Sequence, residues 1–194
     1  MTVLQLYTFY PFDASVVALL NTTAANLAGC QGIYAGREIE DPNRGHCVFH
    51  WENESAALQS AEILRVLLAG GRWVSQKTIT ISSESDKDIR AVLNAPVQEF
   101  AIATLKKEEN KAEWERILRL TAEGVRVTKG AVAALQGLEA ENDARYVLLI
   151  GWQSHEAHMR ALKSEYADEV MGQTLAVVDF DVKHAQRIMY EQSS

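Results

Sequence analysis

The feature that most constrains the fold of this chain is an internal repeat at an offset of 101 residues. Residues 36–58 can be laid on residues 137–159 without a gap. Matched positions carry identical or similar side chains: Glu38 with Glu139, Val48 with Leu149, Trp51 with Trp152, and Ala56 with Ala157. A repeat of this length predicts that one structural unit occurs twice along the chain.

Each half carries the same order of predicted elements: strand, helix, strand, strand, helix, strand. Apolar runs predict strands over residues 3–9, 33–40, 46–51 and 74–81, and then over 100–105, 132–139, 146–152 and 177–182. Helices are predicted after the capping residues Asp13, Asn53 and Ser154, and over residues 114–125. The polar segment 82–96 separates the halves, so we place an N-terminal unit at 1–94 and a C-terminal unit at 95–194.

This element order predicts an α+β fold made of two ferredoxin-like β-α-β-β-α-β repeats. Such a unit is an antiparallel sheet with both helices on one face. The strands at 46–51 and 146–152 carry apolar residues on both faces, so the sheet face away from the helices must be covered too. Two units packed sheet to sheet would cover it and leave a cavity between the sheets.

Composition excludes several classes of protein. The 194 residues are 47% hydrophobic and carry 19 Lys and Arg against 26 Asp and Glu, which gives a net charge of −7. A surface of this charge disfavours nucleic acids and anionic membranes as partners. The two cysteines, Cys30 and Cys47, have no metal-ligand spacing and are expected to be small buried residues.

The sequence also predicts a cytoplasmic protein. No apolar run reaches the length of a membrane span, and the first basic residue is Arg37, so a secretory signal is not expected. Glycine-rich phosphate-binding motifs, the serine-hydrolase elbow and the zinc-protease motif do not occur in the sequence.

A strand that ends in tryptophan, followed by a capping residue and a short acidic or histidine-containing helix start, occurs in both halves. It spans residues 48–57 around Trp51 and residues 149–158 around Trp152. In this pattern the chain resembles the antibiotic biosynthesis monooxygenase family of dimeric α+β barrels, here in a tandem form. The resemblance implies an intrachain barrel and one of several activities: cofactor-independent oxygenation of aromatic quinols, oxidative haem breakdown, or a related decarboxylation or cyclisation.

The resemblance disfavours haem breakdown. Family members that degrade haem combine the tryptophan with an asparagine on the first strand and a histidine ligand in the second helix. Here the first strands of both halves contain no asparagine, and Ala61 or Leu162 stands at the ligand position. We therefore expect no cofactor and no metal.

Aromatic side chains on the strands are the candidate substrate-binding residues. Large rings can line a cavity and stack on a flat ligand, although plain core packing is the alternative for each of them. The candidates are Tyr7, Phe9, Trp51, Tyr146 and Trp152.

Two histidines are candidate catalytic bases, because an imidazole can accept a phenol proton near neutral pH. His50 precedes Trp51, so strand alternation sends the two side chains to opposite faces. His158 lies on the apolar side of its helix, where it is either a satisfied core residue or a group at the cavity mouth. The first half has Ala57 at that position, so chemistry there would belong to one half.

The sequence thus predicts a cofactor-independent monooxygenase of a small aromatic substrate, quinol-like or polyketide-like, in secondary metabolism. The alternatives are a decarboxylase or cyclase of a similar substrate, and a non-catalytic or stress-responsive barrel that binds an apolar ligand. Whether the tandem chain forms a homodimer is left open.

Overall fold

The computed structural model describes residues 2–24, 27–67, 72–81 and 86–192. The described strands are β1 (Thr2–Tyr10), β2 (Cys30–Glu38), β3 (Gly45–Trp51), β4 (Arg72–Ile81), β5 (Val97–Leu105), β6 (Ala131–Glu139), β7 (Asn142–Trp152) and β8 (Val178–Gln192). The described α-helices are α1 (Ala14–Ala24), α2 (Glu54–Leu67), α3 (Asp86–Leu93), α4 (Lys111–Val127), α5 (His155–Ala161) and α6 (Glu165–Val177). None of these helices is both long and apolar enough to cross a membrane.

The eight strands form one closed antiparallel barrel in the order β1-β3-β2-β8-β5-β7-β6-β4, and β4 pairs with β1 to close it. The strands of the first half are contiguous, as are those of the second. Pairing of β2 with β8 and of β4 with β6 joins the halves. The protein is therefore an α+β barrel, as the sequence predicts.

The two faces of the barrel wall pack against different partners. Leu4, Val48 and Phe100 point into the barrel, where α3 contributes Ile89 and Val92 to the same cluster. On the outer face of the first half, apolar residues of α1 and α2 cover the sheet. On the outer face of the second half, α4, α5 and α6 do so.

This arrangement corrects the expected position of the tryptophans. Trp51 packs on the α1 and α2 side, and Trp152 packs with Val125 of α4 and Ala157 of α5. Strand alternation then places His46, Val48 and His50 on the barrel-interior side. Neither indole ring lies between the sheets.

Helix α6 and the length of β8 were not predicted. The inward side of α6 is formed by partly buried residues, among them Val170 and Val177, around the buried Thr174. The predicted last strand ends at residue 182, whereas β8 continues to Gln192. The helix α3 lies within the polar segment 82–96. The buried positions of both cysteines agree with the prediction.

Two glycines hold equivalent turns in the two halves. Gly29 and Gly130 have φ values of 75° and 92°. A Cβ atom on them would lie 2.5 Å from the Cβ of Ala56 and 2.6 Å from the Cβ of Ala157. Both conformation and contact therefore require glycine.

Replacing Gly130 by alanine is expected to lower the free energy of unfolding by about 1–3 kcal/mol. Urea denaturation measures this loss. Gly172→Ala is the control, since that helical glycine has no atom within 4 Å of an added Cβ and alanine should stabilise α6 by about 0.5–1 kcal/mol. Equal effects of the two substitutions would contradict the conclusion that position 130 requires glycine.

Candidate active site

A cavity of about 130 Å³ lies between the outer face of the second half of the barrel and helices α4, α5 and α6. Most of its wall is apolar, and a few polar side chains reach it, which is the usual character of a small-molecule site. The wall includes Trp114, Leu148, Ile150, Trp152, Tyr166 and Phe180, together with Glu99 and His158.

Glu99 is a carboxyl group buried beside Trp152. The Trp152 Nε1–H donates to Glu99 Oε2 at 2.8 Å, and the residue is 5% exposed. Burial raises the pKa of Glu99 to about 7, against the smaller opposing effect of this hydrogen bond. The carboxyl group can therefore exchange a proton near neutral pH.

His158 stands over the same tryptophan. Ser154 caps α5 by accepting the Ala157 N–H at 3.1 Å, and this helix start brings the His158 ring to 4.8 Å from the Trp152 ring. Its Nε2 lies 3.4 Å from Glu99 Oε2. Burial, and then the neighbouring His184, lowers the pKa of His158 to about 4, so the imidazole is neutral and able to accept a proton at pH 7.

Two further side chains connect His158 to solvent through hydrogen bonds. His184 on β8 places Nε2 at 2.8 Å from His158 Nδ1. Its Nδ1 is 2.5 Å from Oε1 of Glu40, which follows β2. Although burial acts to raise the pKa of Glu40, hydrogen bonds from the His184 side chain and backbone lower it. The hydrogen-bonded series thus runs from the cavity to a partly exposed carboxylate.

The first half lacks these groups. Trp51 Nε1–H donates to Gln5 Oε1 at 2.9 Å, so a neutral amide takes the place of Glu99. At the position of His158 the first half has Ala57, which is buried in the apolar core. The polar cluster therefore belongs to the second half.

The other predicted site residues lie elsewhere. Tyr7, Phe9 and Trp51 are buried in the core under α1 and α2. Tyr146 packs edge to face on Trp114 and lines a different cleft. The structure thus brings together His158 and Trp152 of the predicted set.

His50 is separated from this cluster. It is 1% exposed on the barrel-interior side, with Nε2 at 3.8 Å from Asp86 Oδ1 of α3. Within the described part of the chain neither of its ring nitrogens has a hydrogen-bond partner. Burial lowers the pKa of His50, with Asp86 opposing.

A larger cavity of about 460 Å³ opens into the barrel itself. Two groups of its wall make close contacts with carboxylates: His46 Nε2 is 2.8 Å from Glu38 Oε2, and Lys77 Nζ is 3.2 Å from Glu139 Oε1. The helix-side cavity is the better candidate active site, since it combines apolar walls with buried groups whose pKa values are shifted.

Among the described residues, one group of side chains could share a metal ion: Glu99, His158 and His184. Their ligand atoms lie within 4.8 Å of one another. In the structure the facing nitrogens of His158 and His184 hydrogen-bond to each other.

No family model matches the sequence, and no curated protein matches it. Solved structures do share the fold. A "putative monooxygenase" from Fusobacterium nucleatum is 14% identical, with a TM-score of 0.75 over 98% of this chain and 94% of that one.

Two other similar structures have different names. An "anthrone oxidase-like protein" is 12% identical, with a TM-score of 0.68 over 100% of this chain and 94% of that one. A "putative chlorite dismutase" is 11% identical, with a TM-score of 0.70 over 97% and 95%. At these identities the likeness shows the α+β barrel fold, and function has to be argued from the site.

Proposed function

We propose that this chain is a cofactor-independent monooxygenase of small, electron-rich phenols, of the type found in the antibiotic biosynthesis monooxygenase family. The observation that carries the proposal is the neutral imidazole of His158, which stands beside Trp152 at the wall of an apolar cavity. The names of two structural neighbours, a monooxygenase and an anthrone oxidase-like protein, are consistent with this chemistry. Such a reaction belongs to the secondary metabolism of aromatic compounds.

In the proposed reaction His158 accepts the proton of a bound phenol, and the phenolate transfers one electron to dioxygen. The radical pair combines to form a C–O bond at a ring carbon, and a proton from solvent, which replaces the one that His158 took up, converts the peroxide to a hydroperoxide. Loss of water from that carbon leaves a quinone. One phenol and one dioxygen thus give one quinone and one water, and the protein supplies a base and a water-poor site.

The cavity volume favours a substrate with one aromatic ring. An apolar cavity of roughly 150 Å³ in another protein binds benzene, and this one measures about 130 Å³. Larger polycyclic phenols would require α5 and α6 to move outward. A panel of phenols with one, two and three rings, with oxygen uptake and product mass recorded, tests both the activity and the size limit.

Trp152→Phe is expected to lower oxygen uptake by about tenfold or more. Glu99 lies 3.4 Å from Nε2 of the base His158, and this substitution removes the indole N–H that positions its carboxyl group. Trp51→Phe is the matched control. It removes an equivalent buried indole donor in the other half, so the loss of stability is similar while uptake should stay within about twofold. Equal loss of activity in both variants would refute the assignment of the working cavity to the second half.

Binding of a phenol without oxygen uptake would favour the non-catalytic barrel, and release of carbon dioxide from a carboxylated phenol would favour the decarboxylase. Both rivals would use the same cavity. Product analysis separates the three functions.

We also propose that the chain is a tandem duplication of one ferredoxin-like unit, with the halves at 1–94 and 95–194. Four residue pairs at the 101-residue offset support it. Gly29 and Gly130 share a positive φ, Asn53 and Ser154 cap α2 and α5, and Arg44 and Arg145 pair with Glu38 and Glu139.

A further inference from the structure

We propose that His184 and Glu40 form a proton-exit path, through which a proton taken up by His158 leaves the cavity and reaches solvent. The inference rests on the proposed function, in which His158 is the base. It adds two residues that do not line the cavity, and one of them comes from the first half of the chain.

The hydrogen bonds determine where the protons sit. Both carboxylate oxygens of Glu40 accept the backbone N–H of His184, at 3.1 and 3.0 Å, which fixes this carboxylate beside the ring. An ionised carboxylate can only accept, so His184 Nδ1 carries the hydrogen of the 2.5 Å contact. When Nδ1 carries the one ring hydrogen of His184, its Nε2 is an acceptor.

The hydrogen bond between the two rings also determines where the hydrogen of His158 sits. Since His184 Nε2 accepts at 2.8 Å, His158 Nδ1 carries a hydrogen and His158 Nε2 has a lone pair. That lone pair is on the Glu99 side of the ring, at 3.4 Å from Oε2. The chain of contacts thus orients the base with its acceptor nitrogen towards the cavity.

Proton transfer along this series is balanced at each step. His158 Nε2 gains the phenol proton and gives its Nδ1 proton to His184 Nε2. His184 gives its own Nδ1 proton to Glu40 Oε1, which restores two neutral rings and leaves a protonated carboxyl group. Glu40 can release this proton to water, because its side chain is 39% exposed whereas those of His158 and His184 are buried.

The path crosses the join between the two halves. Glu40 follows β2, His184 lies on β8, and these strands pair. Other ionisable groups face the path from neighbouring elements: Glu99 on β5, His155 on α5 with its ring 4.9 Å from that of His184, and Lys183 beside Glu40. None of these three side chains is changed in the variants Glu40→Gln and Glu156→Gln.

The first test uses 4-nitrophenol, a one-ring phenol whose ionisation is visible by absorbance and which does not consume oxygen. In the chelator-treated wild-type protein the bound probe passes its proton to the path. Glu40→Gln is expected to slow the ionisation of the bound probe after a rapid rise in pH by about tenfold or more, because the last acceptor of the path is lost. Glu156→Gln, which removes an exposed carboxylate from α5, should leave that rate unchanged. Equal ionisation rates in Glu40→Gln and wild type would overturn the proposal.

The second test reads the tautomers directly in the ligand-free protein. Nitrogen NMR is expected to show both His158 and His184 protonated at Nδ1, whereas free histidine prefers the other tautomer. An Nε2–H on either ring would overturn the path. Both readouts are independent of turnover, so a protein that gives the expected results but consumes no oxygen with any phenol would retain the path and lose the oxygenase function.

Discussion

Oxygen uptake with a one-ring phenol is expected to fall by about 10²–10⁴-fold when His158 is replaced by alanine, which is the usual contribution of a positioned general base. The reason is that its imidazole is neutral at pH 7 and reaches the cavity, while the acceptor nitrogen is held there by His184. Initial rates at pH 7 in the presence of a chelator measure the effect.

The first half of the chain already has an alanine at the position equivalent to His158. Ala57 lies at the equivalent place in α2 and is fully buried, so the backbone tolerates a methyl group there. Met159→Ala is the control, because it shortens a partly exposed side chain of the same helix that does not line the cavity. The rate of this variant should stay within about threefold of wild type. If His158→Ala retained full activity with an unchanged free energy of unfolding, His158 would not be the base.

The α+β barrel was predictable because the same sequence pattern recurs at an offset of 101 residues. Turn glycines, helix caps and strand-ending tryptophans recur at one offset, and each has a local physical role that a sequence pattern can reveal. The face of the wall on which Trp51 and Trp152 lie was not predictable. Strands β3 and β7 are buried on both faces, so their apolar pattern does not distinguish the barrel interior from the helix side.

The site was predictable in part. His158 and Trp152 belong to a local motif, since they lie six residues apart around one helix start. Glu99, His184 and Glu40 come from β5, β8 and the end of β2, and only barrel closure brings them together. The correspondence is visible in the strand register of the structure: Val3 and Val97 face the two tryptophans, which aligns Gln5 with Glu99 and places a carboxyl group where the first half has an amide. The predicted strand began at residue 100 and left Glu99 out.

That difference between the halves gives a second large effect, on stability. Glu99 has a pKa of about 7 in the folded protein against an ordinary value of 4.5. Between these pH values the folded state binds more protons than the unfolded state, so the Glu99 contribution destabilises the fold progressively as pH rises from 4.5 to 7, and the penalty is constant above 7. A shift of this size corresponds to about 3 kcal/mol.

Glu99→Gln removes the titrating group and keeps an oxygen that can accept the Trp152 N–H, as Gln5 does for Trp51. The free energy of unfolding of this variant, relative to wild type, is therefore expected to increase by about 3 kcal/mol between pH 4 and pH 8. Urea denaturation at the two pH values measures the change, and contributions from groups that do not contact Glu99 cancel in the difference. Glu156→Gln should show no such increase, because that carboxylate is exposed. A constant difference for Glu99→Gln would mean that the folded protein binds no extra proton at this site between pH 4.5 and 7, and the raised pKa of Glu99 would be refuted.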